Sequence, residues 1–175
     1  MKFSLTTPRG ALVETDVEEV TAPGTEGEFG VLPGHVPLLT ALATGIVTYQ
    51  IGAEKHAVAI GRGFAEVAAG KATLLTTNFI KKEDVDPVVV RLELKAADEA
   101  LDKFEGDLQG HEYTELLARE LWAAAELEVY GDPPPPRMKT LNELTFGHRE
   151  NYVAELETSA SDPNEAAASE QKPAH

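Results

Sequence analysis

The spacing of the apolar residues changes once along this 175-residue chain, near residues 84–87. Before that point, apolar and polar residues alternate in short runs, of which residues 11–21 and 28–32 are examples, and ten of the fourteen glycines lie in residues 1–86. Short alternating runs separated by turn-forming residues every ~8–12 positions are typical of an antiparallel sandwich or barrel. We therefore predict a β-rich domain over residues 1–85.

After that point the apolar residues recur at helical spacing. Asp86 followed by Pro87 is a typical helix start, since the aspartate can cap the helix and proline fits its first position. A second apolar stripe over about residues 112–130 ends at Gly131, before four prolines that cannot continue a helix. We predict an antiparallel two-helix hairpin over residues 86–132, with its carboxylates on a solvated face. Its first stripe comprises Val90, Leu94, Ala97, Leu101, Phe104 and Leu108.

The composition excludes several classes of function. A net charge of −15 disfavours nucleic acid and anionic lipid, both of which require clustered Lys and Arg. The chain has no cysteine, no P-loop and no histidines at ligand spacing, so we expect no metal, no cofactor and no catalytic residues. We expect a soluble protein without a leader peptide, because the first residues enter the alternating pattern directly and no run approaches ~20 apolar residues. For residues 133–175 we predict a Pro-rich spacer and a mostly disordered acidic tail.

Residues 27–39 combine turn-forming residues with a high apolar content. Pro33 and Pro37 exclude a helix interior. We expect a strand from Glu28 to Leu32, a rigid turn that presents His35, and an apolar return into the core through Val36, Leu38 and Leu39. The residues alone leave two roles open for His35, which could pack within the turn and bond a carbonyl, or contact another protein.

The same region carries a resemblance to a known family. Residues 27–42, Gly-Glu-Phe-Gly-Val-Leu-Pro-Gly-His-Val-Pro-Leu-Leu-Thr-Ala-Leu, resemble the signature of the ε subunit of bacterial F-type ATP synthases. The resemblance continues through residues 45–47 and 58–67 to residues 84–86 and the hairpin, so that it covers about residues 3–131. It implies a sandwich of ten strands followed by a two-helix hairpin, in agreement with the periodicity.

The resemblance also implies a role. It predicts a non-catalytic central-stalk subunit that binds γ and the ring of c subunits and helps to couple proton flow to ATP synthesis, with the α/β hexamer as a further candidate partner. It places the chain at the cytoplasmic face of the bacterial inner membrane, attached only through the complex. The interface residues that it implies are Glu28, Val31, Pro33 and His35. The alternative is a free-standing ligand-binding sandwich with a helical lid, which would require a concave pocket with convergent polar groups.

Two departures from the family pattern affect regulation. Relatives that bind ATP carry Ile/Leu-Asp-x-x-Arg-Ala at the start of the first helix; here Asp86 matches, Val89 occupies the arginine position, and Arg91 comes two residues late. We therefore expect no nucleotide binding. In relatives that inhibit ATP hydrolysis the second helix is basic, whereas here it has Arg119 among five glutamates, so the same contact is not expected. The sequence leaves open whether the hairpin is folded or extended.

Overall fold

The computed structural model describes residues 1–135, in which ten strands precede two helices. These elements confirm the predicted fold class, a β-sandwich followed by a helical hairpin. The bounds are β1 Lys2–Thr7, β2 Gly10–Asp16, β3 Glu19–Gly24, β4 Gly27–Val31, β5 Leu38–Leu42, β6 Gly45–Ile51, β7 Glu54–Ile60, β8 Gly63–Ala68, β9 Lys71–Thr76, β10 Phe79–Lys81, α1 Pro87–Asp102 and α2 His111–Tyr130, with a 3₁₀ turn at Lys82–Asp84.

The strands follow the order β10-β7-β6-β3-β5-β8-β9-β1-β2, with β4 paired to the other edge of β3. Residues 11–21, expected as one run, form two strands, since β2 ends at Asp16 and β3 begins at Glu19. The pair β1–β9 is parallel, whereas the other pairs are antiparallel. The reason is topological: β2 occupies one edge of β1, and β9, whose direction is set by its hairpin with β8, pairs with the other edge.

The main core lies between two layers of strands. Strands β1, β5, β8 and β9 supply one side of it and strands β3, β4, β6 and β7 the other, and β3 joins β5 through a single residue pair, Gly24–Leu42. Burial of side chains from both groups in one cluster defines the sandwich. The largest fully buried side chains are Phe3, Leu5, Val20, Val31, Leu42, Val47, Ile60 and Leu74.

A second cluster joins the hairpin to the sandwich. Strand β7 ends in three consecutive buried residues because Val58 and Ile60 point into the core while Ala59 is covered on the outer face by α2. A strand covered on both faces loses its alternation of buried and exposed residues. The helix contributes Ala123, Ala125, Leu127 and Val129, packed against Ile46, Ile80, Val85 and Val90.

The start of α1 and the end of α2 follow the predicted signals, whereas the end of α1 does not. The Asp86 carboxylate accepts hydrogen bonds from the backbone N–H groups of Val88 at 3.0 Å and Val89 at 3.3 Å, so that the predicted cap is confirmed. Helix α2 ends at Tyr130 and is capped by Gly131, whose φ of +104° is in the left-handed region favoured by glycine. Helix α1 ends at Asp102, before Phe104 and Leu108 of the predicted stripe.

One prediction about the helices is wrong. Glu120 and Glu126 are not on a solvated face but are buried in the packed hairpin, with 5% and 7% of their surface exposed. The reason is that α2 packs on α1 and on the sheet at the same time, so the buried part of its circumference is wider than the apolar stripe.

Helix α2 has 20 residues, yet among the helices of residues 1–135 none is long and apolar enough to cross a membrane. The division into residues 1–85, 86–132 and 133–175 stays a prediction, and the expectations for residues 136–175 lie outside the described residues.

Candidate docking surface

The turn between β4 and β5 is built by the residues that the sequence singled out. The backbone N–H of His35 donates to the Leu32 carbonyl at 3.0 Å, which closes a four-residue turn. Pro33 occupies its second position and Gly34, with φ +86°, its third. Proline followed by a residue with positive φ is what a type II turn requires. Since proline restricts φ in the unfolded chain as well, this turn is stiff.

The ring of His35 is exposed and makes one local bond. Its Nδ1 lies 2.7 Å from the carbonyl oxygen of Val36. A carbonyl can only accept, so Nδ1 carries the proton and Nε2 is the acceptor when the ring is neutral. The two roles left open for His35 are therefore compatible, because the local bond holds the ring in a displayed position.

The other predicted interface residues differ in exposure. Glu28 is exposed in β4, opposite Pro23 of β3, and Pro33 is exposed at the tip of the turn. Val31 is only 1% exposed and belongs to the sandwich core. Its side chain therefore anchors the end of β4 from which the turn begins. The interface assignment of these residues stays a prediction.

The expected apolar return into the core is wrong for two of its three residues. Leu38 packs partly against the core, but Val36 is 70% exposed and Leu39 75% exposed. Leu39 alternates with Leu38 along β5, so only one of the two can face inward. Leu32, on the other side of the turn, is also more than half exposed.

Leu39 continues into an apolar area on the outer face of the sheet, which we call the outer patch and define as Leu39, Phe64 and Leu75. Phe64 pairs with Ala41 of β5 on one side and with Leu75 of β9 on the other. Paired residues of neighbouring strands share a face, so these side chains are adjacent. Phe64 is 60% exposed and Leu75 53% exposed. Neither Phe64 nor Leu75 was among the predicted interface residues, although a large aromatic in the polar phase of an alternating strand was an available signal.

The start of the hairpin shows where the nucleotide-motif positions lie. The Asp86 carboxylate is engaged as the helix cap, and the aliphatic Val89 is about half exposed. The guanidinium of Arg91 bonds the Asp132 carboxylate through Nη2 at 2.6 Å and Nε at 3.0 Å, which ties the second turn of α1 to the segment that follows α2. Both Asp86, which matches the motif, and Arg91, which comes two residues late, are therefore engaged in local contacts.

Two open grooves occur elsewhere in residues 1–135. One, of about 330 Å³, is lined by residues of the β1–β2 turn, β10 and Trp122 of α2. The other, of about 430 Å³, lies along β1 and β2 beside Lys71. Neither groove includes a residue of the turn or of the outer patch. Within the described residues no group of three His, Asp or Glu side chains is placed to hold a metal ion.

Comparison with known proteins agrees with this architecture. Residues 1–82 match the family model of the ATP synthase delta/epsilon chain β-sandwich domain. The ATP synthase epsilon chain of Nitratidesulfovibrio vulgaris is 42% identical over 86 residues, which is 49% of this chain and 64% of that relative, so the chain spans just under two thirds of its length.

Longer matches extend through the hairpin. The ATP synthase epsilon chain 2 of Syntrophotalea carbinolica is 31% identical over 132 residues, which is 75% of this chain and 94% of that relative. A chain in the cryo-EM structure of the Euglena gracilis mitochondrial ATP synthase, OSCP/F1/c-ring assembly, superposes with a TM-score of 0.54 at 25% identity, covering 74% of this chain and 76% of that one. This chain therefore belongs to the ATP synthase epsilon chain family.

Proposed function

We propose that the chain is a non-catalytic subunit of the central stalk of a bacterial F-type ATP synthase, where it links γ to the c-ring and helps to couple proton translocation to ATP synthesis. The observation that carries this proposal is the pairing of a stiff, exposed turn at residues 32–37 with the apolar outer patch on the same sandwich. Family membership supplies the class of assembly, and the two surfaces supply the means of binding.

The outer patch is the proposed contact with γ. Contiguous exposed apolar side chains are characteristic of interaction surfaces, whereas isolated ones are ordinary. Phe64 lies directly opposite Leu75, and Leu39 lies on the same face, diagonal to Phe64 and two residues before its partner Ala41, so the three residues form one area. A protein interface typically has an apolar centre and a polar rim, and Glu66, which pairs with Leu39, provides such a polar neighbour.

The turn is the proposed contact with the c-ring. Its tip exposes Pro33 and His35, and Glu28 is exposed on the adjoining strand. Transmission of torque requires a contact that does not deform, and the proline-glycine turn limits the entropy lost on binding. Through these contacts the chain would be held peripherally at the cytoplasmic face of the inner membrane. The α/β hexamer is a third proposed partner, reached through the hairpin.

Inhibition of ATP hydrolysis through a basic second helix is not part of the proposal. On the exposed face of α2, Arg119 is accompanied by Glu112, Glu115 and Glu128. This face would repel an acidic partner. We also propose that the start of α1 does not bind nucleotide, because Val89 offers no charge to a phosphate and the Asp86 carboxylate already caps the helix.

Affinity capture tests the proposal. The full tagged chain should recover γ, the c-ring and the α/β hexamer from solubilised membranes of its own host. We expect Leu39→Glu to weaken binding of purified γ by at least about tenfold, because a charge would be buried in the apolar part of the interface. His35→Ala should weaken retention of the c-ring.

The matched control is Leu92→Glu, a leucine on α1 that is 65% exposed and lies outside the outer patch. It should bind γ as the unmodified chain does, and circular dichroism should confirm that each variant is folded. Recovery of none of the three partners by the unmodified chain would refute the stalk assignment. Equal effects of the two leucine variants would refute the outer patch as the γ contact.

A further inference from the structure

Helix α2 carries a carboxylate in an unusual place. Glu126 lies in the C-terminal half of the helix, between Ala125 and Leu127, which are both buried in the cluster that joins the hairpin to the sandwich. The residue is 7% exposed. An ionised carboxylate is costly to bury unless it is paired and hydrogen-bonded. Within residues 1–135, Glu126 makes no ion pair.

The immediate surroundings of Glu126 favour the protonated form. Burial, and after it the negative charge of Glu93 on α1, raises the pKa of Glu126 above its usual value of 4.5. The Trp122 side chain, one helical turn earlier, acts in the opposite direction by donating a hydrogen bond to the carboxylate. Two effects therefore resist ionisation and one supports it.

The elements packed against α2 offer little compensating charge. Strands β6, β7 and β10 present the apolar residues Ile46, Ala59 and Ile80 to this cluster. From the 3₁₀ turn, the Lys82 amine lies beside the C-terminal end of the helix, 3.8 Å from where a Cβ on Gly131 would be.

The cations of α1 are also engaged elsewhere. Arg91 is paired with Asp132. Lys95 lies 3.9 Å from Glu99 on its own helix.

The same hairpin buries further carboxylate atoms. Glu120 on α2 is 5% exposed, and one oxygen of Glu120 and one of Asp98 on α1 are fully buried. Glu93 on α1, by contrast, is exposed. The packed hairpin therefore buries carboxylate atoms of both helices.

We propose that the helical hairpin is a proton-sensitive element, in which Glu126 takes up a proton when α2 packs against α1 and the sheet, so that acidification favours the packed hairpin and alkalinisation loosens it. No covalent chemistry is involved. The proposal rests on the arrangement of α1, α2 and the sheet and is independent of the role proposed for the chain in an ATP synthase.

The direction of the effect follows from linkage. A glutamate whose pKa is higher in the packed state binds more protons there than in the loosened state. At pH values below 4.5 the group is protonated in both states and exerts no penalty. As the pH rises from 4.5 through the raised pKa, the packed state loses stability, and above that pKa the loss is complete.

Hydrogen exchange of the full chain between pH 5 and ~8, corrected for the intrinsic pH dependence of exchange, tests this proposal. Backbone protection of α2 should fall severalfold across this range relative to β1 and β9. In Glu126→Gln, which keeps the shape and an acceptor for Trp122, the protection should be higher at neutral pH and nearly independent of pH.

The matched control is Glu128→Gln on the exposed side of the same helix, which should retain the pH dependence of the unmodified chain. If Glu126→Gln fails to fold, Glu93→Gln provides a second test, since it removes the like charge without altering the buried site. It should weaken the pH dependence of α2 protection. The proposal is overturned if the protection of α2 does not depend on pH in the unmodified chain. It is also overturned if the pH dependence is equal in the unmodified chain and in Glu126→Gln. The same holds if Glu128→Gln loses the pH dependence of α2 protection as fully as Glu126→Gln does.

Discussion

Gly63 lies where two strands approach more closely than any side chain allows. It is the first residue of β8 and pairs with Leu42 of β5 and Thr76 of β9. A Cβ at this position would be 1.9 Å from the carbonyl oxygen of Leu75 and 2.9 Å from the Thr76 Cα. We predict that Gly63→Ala is strongly destabilising, because the obstacle is backbone and cannot rotate away.

The magnitude follows from the geometry. The separation of 1.9 Å between such a Cβ and the Leu75 oxygen is about 1.5 Å short of the 3.4 Å at which ordinary contact begins, so β8 and β9 must separate locally. That movement strains the β8–β9 ladder and the hydrogen bonding of the Thr76 hydroxyl, whose single hydrogen is shared between the carbonyls of Gly61 at 2.8 Å and Asn78 at 3.0 Å. Overpacking costs ~1–3 kcal/mol and the weakened hydroxyl bond ~0.5–1.5 kcal/mol, so we expect a loss of ~2–4 kcal/mol.

Urea unfolding followed by circular dichroism measures this loss directly. The control is Gly30→Ala in β4, where an added Cβ would meet open space and φ is not positive. This control should change the free energy of unfolding by no more than ~0.5 kcal/mol. A loss below ~1 kcal/mol in Gly63→Ala would contradict the conclusion that close backbone approach is the reason for glycine at this position.

Two further predictions concern single side chains. Asp86→Ala should lower the free energy of unfolding by ~1 kcal/mol because the N–H groups of Val88 and Val89 lose their cap. Asp86→Asn should keep most of that stabilisation. Equal losses in the two variants, measured by urea titration, would contradict the capping role. Burial, and then the negative charge of Glu83, raises the pKa of Tyr49 above 10.0. The folded protein should therefore lose stability as the pH rises above 10.0 through that raised pKa. Thermal melts of Tyr49→Phe should lack this alkaline loss, and its persistence would refute the assignment to Tyr49.

The sequence predicted well those features that depend on neighbours along the chain. The Pro33-Gly34 turn was foreseen because proline presets φ and glycine tolerates a positive φ. The Asp86-Pro87 helix start and the end at Gly131 were foreseen for the same kind of reason, since capping residues act on backbone groups within one turn. The fold class followed from the change in apolar spacing, which is also local.

The sequence predicted poorly which apolar and acidic residues are covered. Alternation shows that Leu38 and Leu39 face opposite sides of β5, but it does not reveal that the outer face is left uncovered there. In β7 the alternation of buried and exposed residues is lost, because α2 covers Ala59 on the outer face. Phe64 gave a local signal, but the extent of the outer patch, with Leu39 and Leu75, required the tertiary arrangement.

The element types, their main boundaries and the shape of the turn that displays His35 follow from the order of the residues, because short-range sterics and hydrogen bonds decide them. Packing of distant segments was needed to establish that β1 and β9 run parallel, that Gly63 must lack a side chain, that Leu39 is exposed and that Glu126 is buried. These features depend on which distant segments meet, and periodicity along one chain carries no information about the surface that will cover it.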